Sequence, residues 1–240
     1  MILIGLTGGI ACGKSTVSAM LERDHHMQII DADTIVRELQ SPGAPCTRRI
    51  AQRWPECVDP LTGTLRREAL GKIIFNNAKA RRDLAKIMNG PIYRSILAHI
   101  AYHWWKGLWH GSTDPYVVIL DAPTLFESGF FTFFISNSLV IACSEQMQVE
   151  RLHVRNGLSE EEARSRIQCQ MPLEQKRKLA GYVIENNEVG LDVLKKKVGE
   201  SVVWMRNQGE HKLTILASGV LAACVLAATL TCKFILAYCK

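Results

Sequence analysis

The residues with the clearest chemical signature lie near the amino terminus, where Gly8–Ser15 matches the pattern G-x-x-x-x-G-K-[ST]. This pattern follows an apolar run, Ile2–Leu6, and precedes an amphipathic helical pattern. Glycines let the backbone of such a loop point its N–H groups at phosphate oxygens, and the N-terminus of the following helix adds favourable partial charge. Lys14 is then expected to reach the β- and γ-phosphates, and Ser15 to bind Mg²⁺. The predicted ATP-binding residues are Gly8, Gly9, Ile10, Ala11, Cys12, Gly13, Lys14, Ser15 and Thr16.

Acidic residues end two other candidate strands. Asp121 closes the apolar run that begins at Tyr116, and Asp33 follows the run that ends at Asp31. Ligands of parallel α/β sheets bind at the carboxyl edge, so Asp121 is a candidate contact to Mg²⁺ or its water. Asp33 is a candidate general base that accepts a proton from an acceptor hydroxyl. Each carboxylate also has a structural alternative: Asp121 as a cap for the next turn, and Asp33 as the N-cap of a helix over 34–40.

Two arginines, Arg151 and Arg155, lie four residues apart in a helical pattern and would present two guanidinium groups on one face. Planar bidentate donors suit a transferring phosphoryl group. A solvated helix face next to Glu150 is the alternative interpretation. The other basic positions of this region are predicted to lie on ordinary charged helix faces; they are Arg164, Arg166 and Lys176–Lys178.

Composition narrows the class of ligand. Lysine and arginine number 29 against 23 aspartates and glutamates, a net charge of +6 that suits an anionic ligand. The basic residues do not form concentrated tracts, so small phosphorylated molecules are expected and nucleic acid is not. His99 and His103 have the spacing of a metal pair, but no third ligand is close in sequence, and no such metal site is expected. The eight cysteines form no C-x-x-C pair and are interpreted as reduced thiols of a cytosol-facing protein.

Short apolar runs alternate with helical patterns along the chain, which predicts an α/β fold with a parallel sheet covered on both faces. Roughly eighty residues separate Asp33 from Tyr116, far more than an ordinary connection, so a helical insertion is expected there. Residues 145–180 predict two helices broken near Gly157, with Ser159 and Glu162 as a capping box, that could fold over an active site. The predicted strands are Ile2–Leu6, Met27–Asp31, Tyr116–Asp121, Ser138–Cys143 and Tyr182–Glu185.

Several further segments follow in the order of one enzyme family. Over about residues 1–207 the chain resembles dephospho-CoA kinase, the last enzyme of coenzyme A biosynthesis. Asp121–Glu127 is close to the family's D-x-P-L-L-F-E signature. The other matching segments are Leu6–Ile10, Ile30–Asp33, Gly43–Pro45, Gly63–Arg67 with Leu70 and Ile74–Phe75, Arg155–Ala163 and Gln170–Arg177.

The resemblance implies a P-loop kinase domain over 1–207, with a helical CoA-side insertion over about 42–112 and a lid over about 145–180 that carries Arg151 and Arg155. It implies ATP-dependent phosphorylation of the ribose 3′-hydroxyl of dephospho-CoA, with Asp33 as the base. Arg66 and Arg67 are weaker candidates for acceptor binding. A family His-Pro is Gly90–Pro91 here, which affects the acceptor contact, and a family Ala-Asp is Ala180–Gly181, which removes a structural carboxylate.

Two alternatives stay open at this point. One is another small-molecule P-loop kinase, acting on a nucleoside or a nucleoside monophosphate. The other is a weakly catalytic, membrane-tethered module that senses nucleotide, which the substitutions at Gly90 and Gly181 motivate. A GTPase is disfavoured because the sequence has no N-K-x-D guanine motif.

The carboxyl-terminal region holds an uncharged apolar run of twenty residues, Leu213–Cys232. As a helix it would span about 30 Å, the thickness of a bilayer hydrocarbon core. We therefore expect a hinge at 208–212 and a transmembrane segment over 213–239, a tail anchor that leaves the catalytic domain facing the cytosol; a buried helix is the alternative. Small residues recur every four positions at Gly219, Ala223 and Ala227, which is compatible with weak self-association or simply with lipid-facing alanine.

Overall fold

The computed structural model describes residues 1–75, 77–111, 114–188 and 190–209. The described residues divide into two compact units, one formed by those within 1–28, 107–119 and 123–209, the other by those within 29–106 and 120–122. The predicted transmembrane segment over 213–239 lies outside the described residues, as does most of the predicted hinge. Within the described part of the chain, no helix is long and apolar enough to cross a membrane.

A five-stranded sheet has the strand order β2-β3-β1-β4-β5. Strand β4 runs parallel to both β1 and β5, with Gly8 opposite Ile141 and Ala142 opposite Glu185. Both β1 and β3 are buried along their whole length, which explains their continuous apolar sequences and confirms the predicted α/β parallel sheet. The strands are β1 Ile2–Gly8, β2 Gln28–Asp31, β3 Val117–Asp121, β4 Asn137–Ala142 and β5 Tyr182–Glu185.

Helices occupy the connections between these strands. Single turns of 3₁₀ helix lie at Pro55–Cys57 and Phe131–Phe133. The α-helices are α1 Lys14–Arg23, α2 Ala32–Leu39, α3 Pro45–Arg53, α4 Arg67–Phe75, α5 Ala78–Leu108, α6 Leu125–Ser128, α7 Glu145–Asn156, α8 Glu160–Gln168, α9 Leu173–Leu179 and α10 Leu191–Arg206.

The second unit is helical and has its own apolar core. Helices α3, α4 and α5 contribute Ile50, Leu70 and Ile87 to one buried cluster, together with Trp54. The long helix α5 contains Pro91 in its interior and continues to Leu108. Because it has this core, the segment between β2 and β3 folds as a unit of its own, which explains why it is longer than an ordinary connection.

Helices α7 and α8 form a helix–turn–helix pair whose ends are set by side chains. The Ser144 hydroxyl accepts a hydrogen bond from the Met147 N–H at the start of α7, and Gly157 ends that helix with φ 65°. The predicted capping box of α8 is confirmed: Ser159 accepts from the Glu162 N–H, and the Glu162 carboxylate accepts from the Ser159 N–H. Arg164 pairs with glutamates of both helices at their exposed surface, as expected for a charged face.

Gly181 leaves room for a side chain of the neighbouring strand. A Cβ at this position would lie 1.8 Å from Oδ1 of Asn137. That oxygen accepts from the Ser138 N–H at 2.9 Å, and Nδ2 of Asn137 donates to Oε1 of Gln208 at 3.1 Å. The Asn137 amide therefore fills the space beside Gly181, and the missing carboxylate leaves no gap at the start of β4 and β5.

This packing makes Gly181→Ala a sensitive test. We expect it to lower the free energy of unfolding by about 1–3 kcal/mol, since the new methyl group forces the Asn137 amide out of its hydrogen bonds. Adding Asn137→Ala should remove most of the effect of Gly181→Ala, because the obstacle is then gone. Gly199→Ala in α10 is the control, because among the described residues no atom outside the local helix lies within 4 Å of its added Cβ. Gly199→Ala should raise the free energy of unfolding by about 0.5–1 kcal/mol. Urea unfolding of these three variants and of Asn137→Ala alone provides the comparison, and additive effects of Gly181→Ala and Asn137→Ala would contradict the packing argument.

Candidate active site

The phosphate loop joins β1 to α1 in a conformation that two of its glycines make possible. Gly13 has φ 94°, and a Cβ there would lie 2.5 Å from Nδ2 of Asn186. A Cβ at Gly8 would lie 2.5 Å from the carbonyl oxygen of Ile141 on β4. Larger residues at either position would push the loop away from the side chains that hold it.

Every carbonyl oxygen from Gly8 to Gly13 accepts a hydrogen bond from the protein. Two acceptors are satisfied locally: the Gly9 carbonyl by the Cys12 N–H at 3.2 Å, and the Gly13 carbonyl by the first turn of α1. The other four bonds come from distant side chains: Lys176 Nζ to Gly8 at 3.4 Å, Gln148 Nε2 to Ile10 at 2.7 Å, Arg151 Nη1 to Ala11 at 3.3 Å and Asn186 Nδ2 to Cys12 at 2.9 Å.

This set of bonds fixes the orientation of the loop. A trans peptide is planar, so holding a carbonyl on the protein side turns the N–H of the same peptide to the opposite side. The protein also binds the N–H groups of Gly9, Ile10 and Cys12. The carbonyl bonds from Gln148 and Asn186 therefore direct the N–H groups of Ala11 and Gly13 away from these side chains, as the predicted phosphate chemistry of the loop requires. Gln170 adds a further constraint, because its Oε1 accepts from the Ile10 N–H at 2.9 Å.

Sequence reasoning missed Gln148, Gln170 and Asn186, which hold the loop from α7, from the turn after α8 and from the end of β5. Gln148 and Asn186 are buried. The position of Asn186 directly after a strand, at the carboxyl edge of the sheet, was the one available signal. Asn187 continues the same turn, where its Oδ1 accepts from the Ser144 N–H at 2.7 Å and so anchors the start of α7.

Arg151 and Arg155 have different surroundings. The Arg151 guanidinium donates from Nη1 to the Ala11 carbonyl and from Nη2 to the Asn186 carbonyl at 3.0 Å. For Arg151 the alternative of a solvated face is therefore wrong. Arg155 is exposed, and its Nε donates to Oδ1 of Asn156 at 3.0 Å. The structure thus brings Arg151, but not Arg155, into contact with the phosphate loop.

The prediction that Lys176 lies on an ordinary charged face is wrong, because its side chain is fully buried. Arg177 also differs from the prediction: it makes a bidentate pair with Glu185 of β5, with distances of 2.9 and 2.8 Å. That pair raises the pKa of Arg177 above its usual value. Lys178 is the member of this run that lies exposed, as predicted.

The thiol of Cys12, a residue of the loop, lies in contact with the thiol of Cys143. Cys143, just after β4, places its Sγ 3.2 Å from that of Cys12, and both residues are buried. The hydrogen bond with Cys143, together with burial, raises the pKa of Cys12. The same hydrogen bond lowers the pKa of Cys143, so Cys12 is the thiol of this pair that holds its proton more strongly.

In the second unit, Asp31 rather than Asp33 is the N-cap of α2. Oδ1 of Asp31 accepts from the N–H groups of Asp33 at 2.8 Å and Thr34 at 3.1 Å, while Oδ2 accepts from the Thr34 hydroxyl. The N-cap interpretation of Asp33 is therefore wrong. Asp33 lies exposed in the first turn of α2, so its carboxylate has no capping role to perform.

Arg66 lies beside a tight turn of the same unit. Oδ1 of Asp59 accepts from the Leu61 and Thr62 N–H groups at 3.0 Å each, and Oδ2 pairs with Nη2 of Arg66 at 3.0 Å. The Thr62 N–H, followed by Arg66, lowers the pKa of Asp59 to about 2. Both arginines are exposed, and Asp59 orients Arg66, while Arg67 is the first residue of α4.

The two candidate Mg²⁺ ligands are Ser15, exposed in the first turn of α1, and Asp121, buried at the end of β3. A hydroxyl and a carboxylate are hard oxygen donors, which is the ligand chemistry that Mg²⁺ prefers. Searched over the described residues, the chain has no group of three histidine, cysteine or acidic side chains that could hold a metal ion by themselves. Each of the two residues by itself offers an oxygen ligand of this kind, and phosphate and water would supply the remaining ligands.

A family model described as dephospho-CoA kinase matches residues 2–191. A dephospho-CoA kinase domain-containing protein of Danio rerio is 40% identical over 187 residues, covering 78% of each chain. A dephospho-CoA kinase of Synechocystis is 41% identical over 189 residues, 77% of this chain and 87% of that one. Among solved structures, TT1252 of Thermus thermophilus superposes with a TM-score of 0.69 at 29% identity, covering 87% of this chain and 98% of that one. With its phosphate loop held as described, this chain belongs to the dephospho-CoA kinase family and is an ATP-dependent phosphotransferase.

Proposed function

We propose that this protein transfers the γ-phosphoryl group of ATP to the ribose 3′-hydroxyl of dephospho-CoA, giving coenzyme A and ADP. The phosphate loop, whose carbonyls from Gly8 to Gly13 are all bound by the protein, supports the ATP side of the proposal. The match of residues 2–191 to the dephospho-CoA kinase family supports the acceptor. Phosphoryl transfer needs little covalent chemistry from the enzyme, so positioning and charge neutralisation supply most of the rate. A loop with fixed N–H donors meets that need.

Individual residues then take the following roles. Lys14 contacts the β- and γ-phosphates, and Arg151 and Arg155 stabilise negative charge on the transferring group. Ser15 and Asp121 would hold Mg²⁺, which when bound neutralises charge on the phosphate oxygens. Asp33 accepts the proton of the attacking hydroxyl. Its position in the first turn of α2, with Asp31 acting as the cap, supports this role because the carboxylate is exposed.

Acceptor recognition is assigned to the helical second unit. Arg66 and Arg67 are the proposed cations for the acceptor's phosphate groups, with Arg66 oriented by Asp59. Gly90 lies inside α5, where no atom of the described residues would lie within 4 Å of an added Cβ. The position therefore has room for the histidine of the family pattern but lacks its side chain, and the proposal assigns acceptor binding to the arginines.

The acceptor assay tests the proposed reaction. With purified full-length protein, ATP and Mg²⁺, we expect ADP release to depend on dephospho-CoA and to be far slower with nucleosides or nucleoside monophosphates. Lys14→Ala should lower the rate by about 10²–10³, as expected for loss of a preorganised electrostatic group. Faster turnover with a nucleoside acceptor would assign the protein to another kinase reaction, and ATP binding without turnover would favour the nucleotide-sensing module.

The prediction for Asp33 separates proton transfer from capping. Asp33→Asn cannot accept a proton, so kcat should fall strongly. Stability should change by less than about 1 kcal/mol, the usual contribution of a first-turn carboxylate to the helix dipole. The control is Asp31→Ala, which removes the cap of α2 and should cost about 1 kcal/mol of unfolding free energy. Thermal unfolding and steady-state kinetics of both variants give the comparison. Normal kcat in Asp33→Asn would exclude the base assignment.

We also propose that the run Leu213–Cys232 anchors the enzyme in a membrane with the catalytic domain on the cytosolic side. The support is compositional: twenty uncharged residues match the thickness of the hydrocarbon core, while the family match ends at residue 191. Weak association of two anchors through Gly219, Ala223 and Ala227 belongs to the same proposal.

Deleting residues 210–240 tests the anchor. The full chain should stay in the membrane pellet after alkaline carbonate treatment, because about twenty apolar residues in lipid resist extraction. The shortened chain should be soluble with unchanged kcat and KM, since each proposed site residue precedes the deleted segment. A misfolded shortened chain, or a full chain that is soluble without detergent, would instead identify the segment as a buried helix.

A further inference from the structure

Lys176 of α9 is a charged side chain with no solvent exposure, and its bond to the Gly8 carbonyl is only one of its contacts. An ammonium group taken out of water is costly unless it is paired and its donors are satisfied. Its three N–H donors have three acceptors: Oε1 of Glu127 at 2.8 Å, the Pro123 carbonyl at 3.0 Å and the Gly8 carbonyl at 3.4 Å. The group is therefore fully coordinated by the protein.

The contact to Gly8 places this lysine at the first peptide of the phosphate loop. The N–H of Gly9, in the same peptide plane, donates to the Ile141 carbonyl of β4 at 3.4 Å. Lys176 thus holds one side of this plane and β4 holds the other. Because the peptide is planar, its tilt sets the direction in which the rest of the loop begins.

The partners of Lys176 extend this support to neighbouring segments. The Pro123 carbonyl also accepts from the hydroxyl of buried Thr7 at 2.9 Å, and Oε1 of Glu127 accepts from the Met171 N–H at 3.4 Å. Gln170, the residue before Met171, holds the Ile10 N–H. The segment that returns from α8 to α9 is therefore joined to the phosphate loop at both Gly8 and Ile10.

We propose that Lys176 is a positioning residue for phosphoryl transfer, which rests on the ATP-dependent reaction proposed above. It fixes the Gly8 peptide and couples the segment after α8 to the phosphate loop. Being buried, it acts through the loop backbone rather than by contact with ATP. The loss should therefore appear in nucleotide binding and kcat, and not in the affinity for the acceptor.

Lys176→Met, which keeps the length of the side chain and removes its charge and donors, is the primary variant, and Lys178→Met at the exposed end of the same run is the control. We expect kcat/KM for ATP to fall by about 100-fold, the scale of effect when a distant change misplaces reacting groups by about 1 Å. The KM for dephospho-CoA should stay near that of the unmodified enzyme. Calorimetric titration with a non-hydrolysable ATP analogue should show weaker binding, independently of turnover.

A second variant separates positioning from general stability, because Lys176→Met alone leaves the Glu127 carboxylate without its partner. Lys176→Met combined with Glu127→Gln replaces the ion pair by neutral groups of similar shape, so the melting temperature should recover. The ATP kinetics should stay impaired, since the Gly8 carbonyl still has no donor.

Recovery of ATP kinetics together with stability would overturn the proposal, as would normal ATP binding and turnover in the single variant. A double variant that fails to fold would also overturn it, by showing that Lys176 acts through stability. The unmodified enzyme in the acceptor assay reports separately on the proposed reaction itself.

Discussion

The constraint on which the catalytic unit depends is the hydrogen bonding of one short loop. A phosphate site made of backbone N–H groups requires that the carbonyls of the same peptides point elsewhere and be satisfied there. The loop carbonyls are bound by side chains of α7, of α9 and of the turn after β5, all distant from the loop in sequence. These side chains are Gln148, Arg151, Lys176 and Asn186. The sheet, α7 and α9 must therefore all be in place before the loop has its binding geometry, so folding and ATP binding are linked.

Local sequence signals predicted the elements well but not their long-range partners. The strands and the capping box of α8 depend on neighbouring residues, and these predictions are confirmed. Lys176 was misjudged because it lies in a basic run that resembles a solvated face, and burial of a lysine depends on Glu127 and Pro123, which are far away in the chain. The N-cap of α2 was misplaced for a different reason: Asp31 and Asp33 are both good capping residues, and the choice depends on where β2 ends.

Arg151 illustrates how one side chain can serve structure and chemistry together. A guanidinium has five N–H donors, and the bonds to the Ala11 and Asn186 carbonyls occupy one from each of its two terminal nitrogens. The remaining donors are compatible with the predicted contact to phosphate. Its orientation is already fixed by the loop, so little side-chain entropy would be lost when the nucleotide binds. Arg155, bound to its neighbour Asn156 at the surface, lacks that preorganisation and would lose more freedom in the same role.

The departures from the family pattern differ in their structural consequences. At Gly181, where the family pattern has a carboxylate, the amide of Asn137 occupies the adjacent space. The same amide joins the start of β4 to Gln208, which follows α10. At Gly90 the helix surface is open, with no atom of the described residues within 4 Å of an added Cβ. The first departure lies in the unit that holds the phosphate loop, where a void would loosen the sheet that carries it. The second lies in the helical unit, where an added side chain would meet no such obstacle among the described residues. Packing therefore limits the choice of residue at position 181, whereas it sets no such limit at position 90.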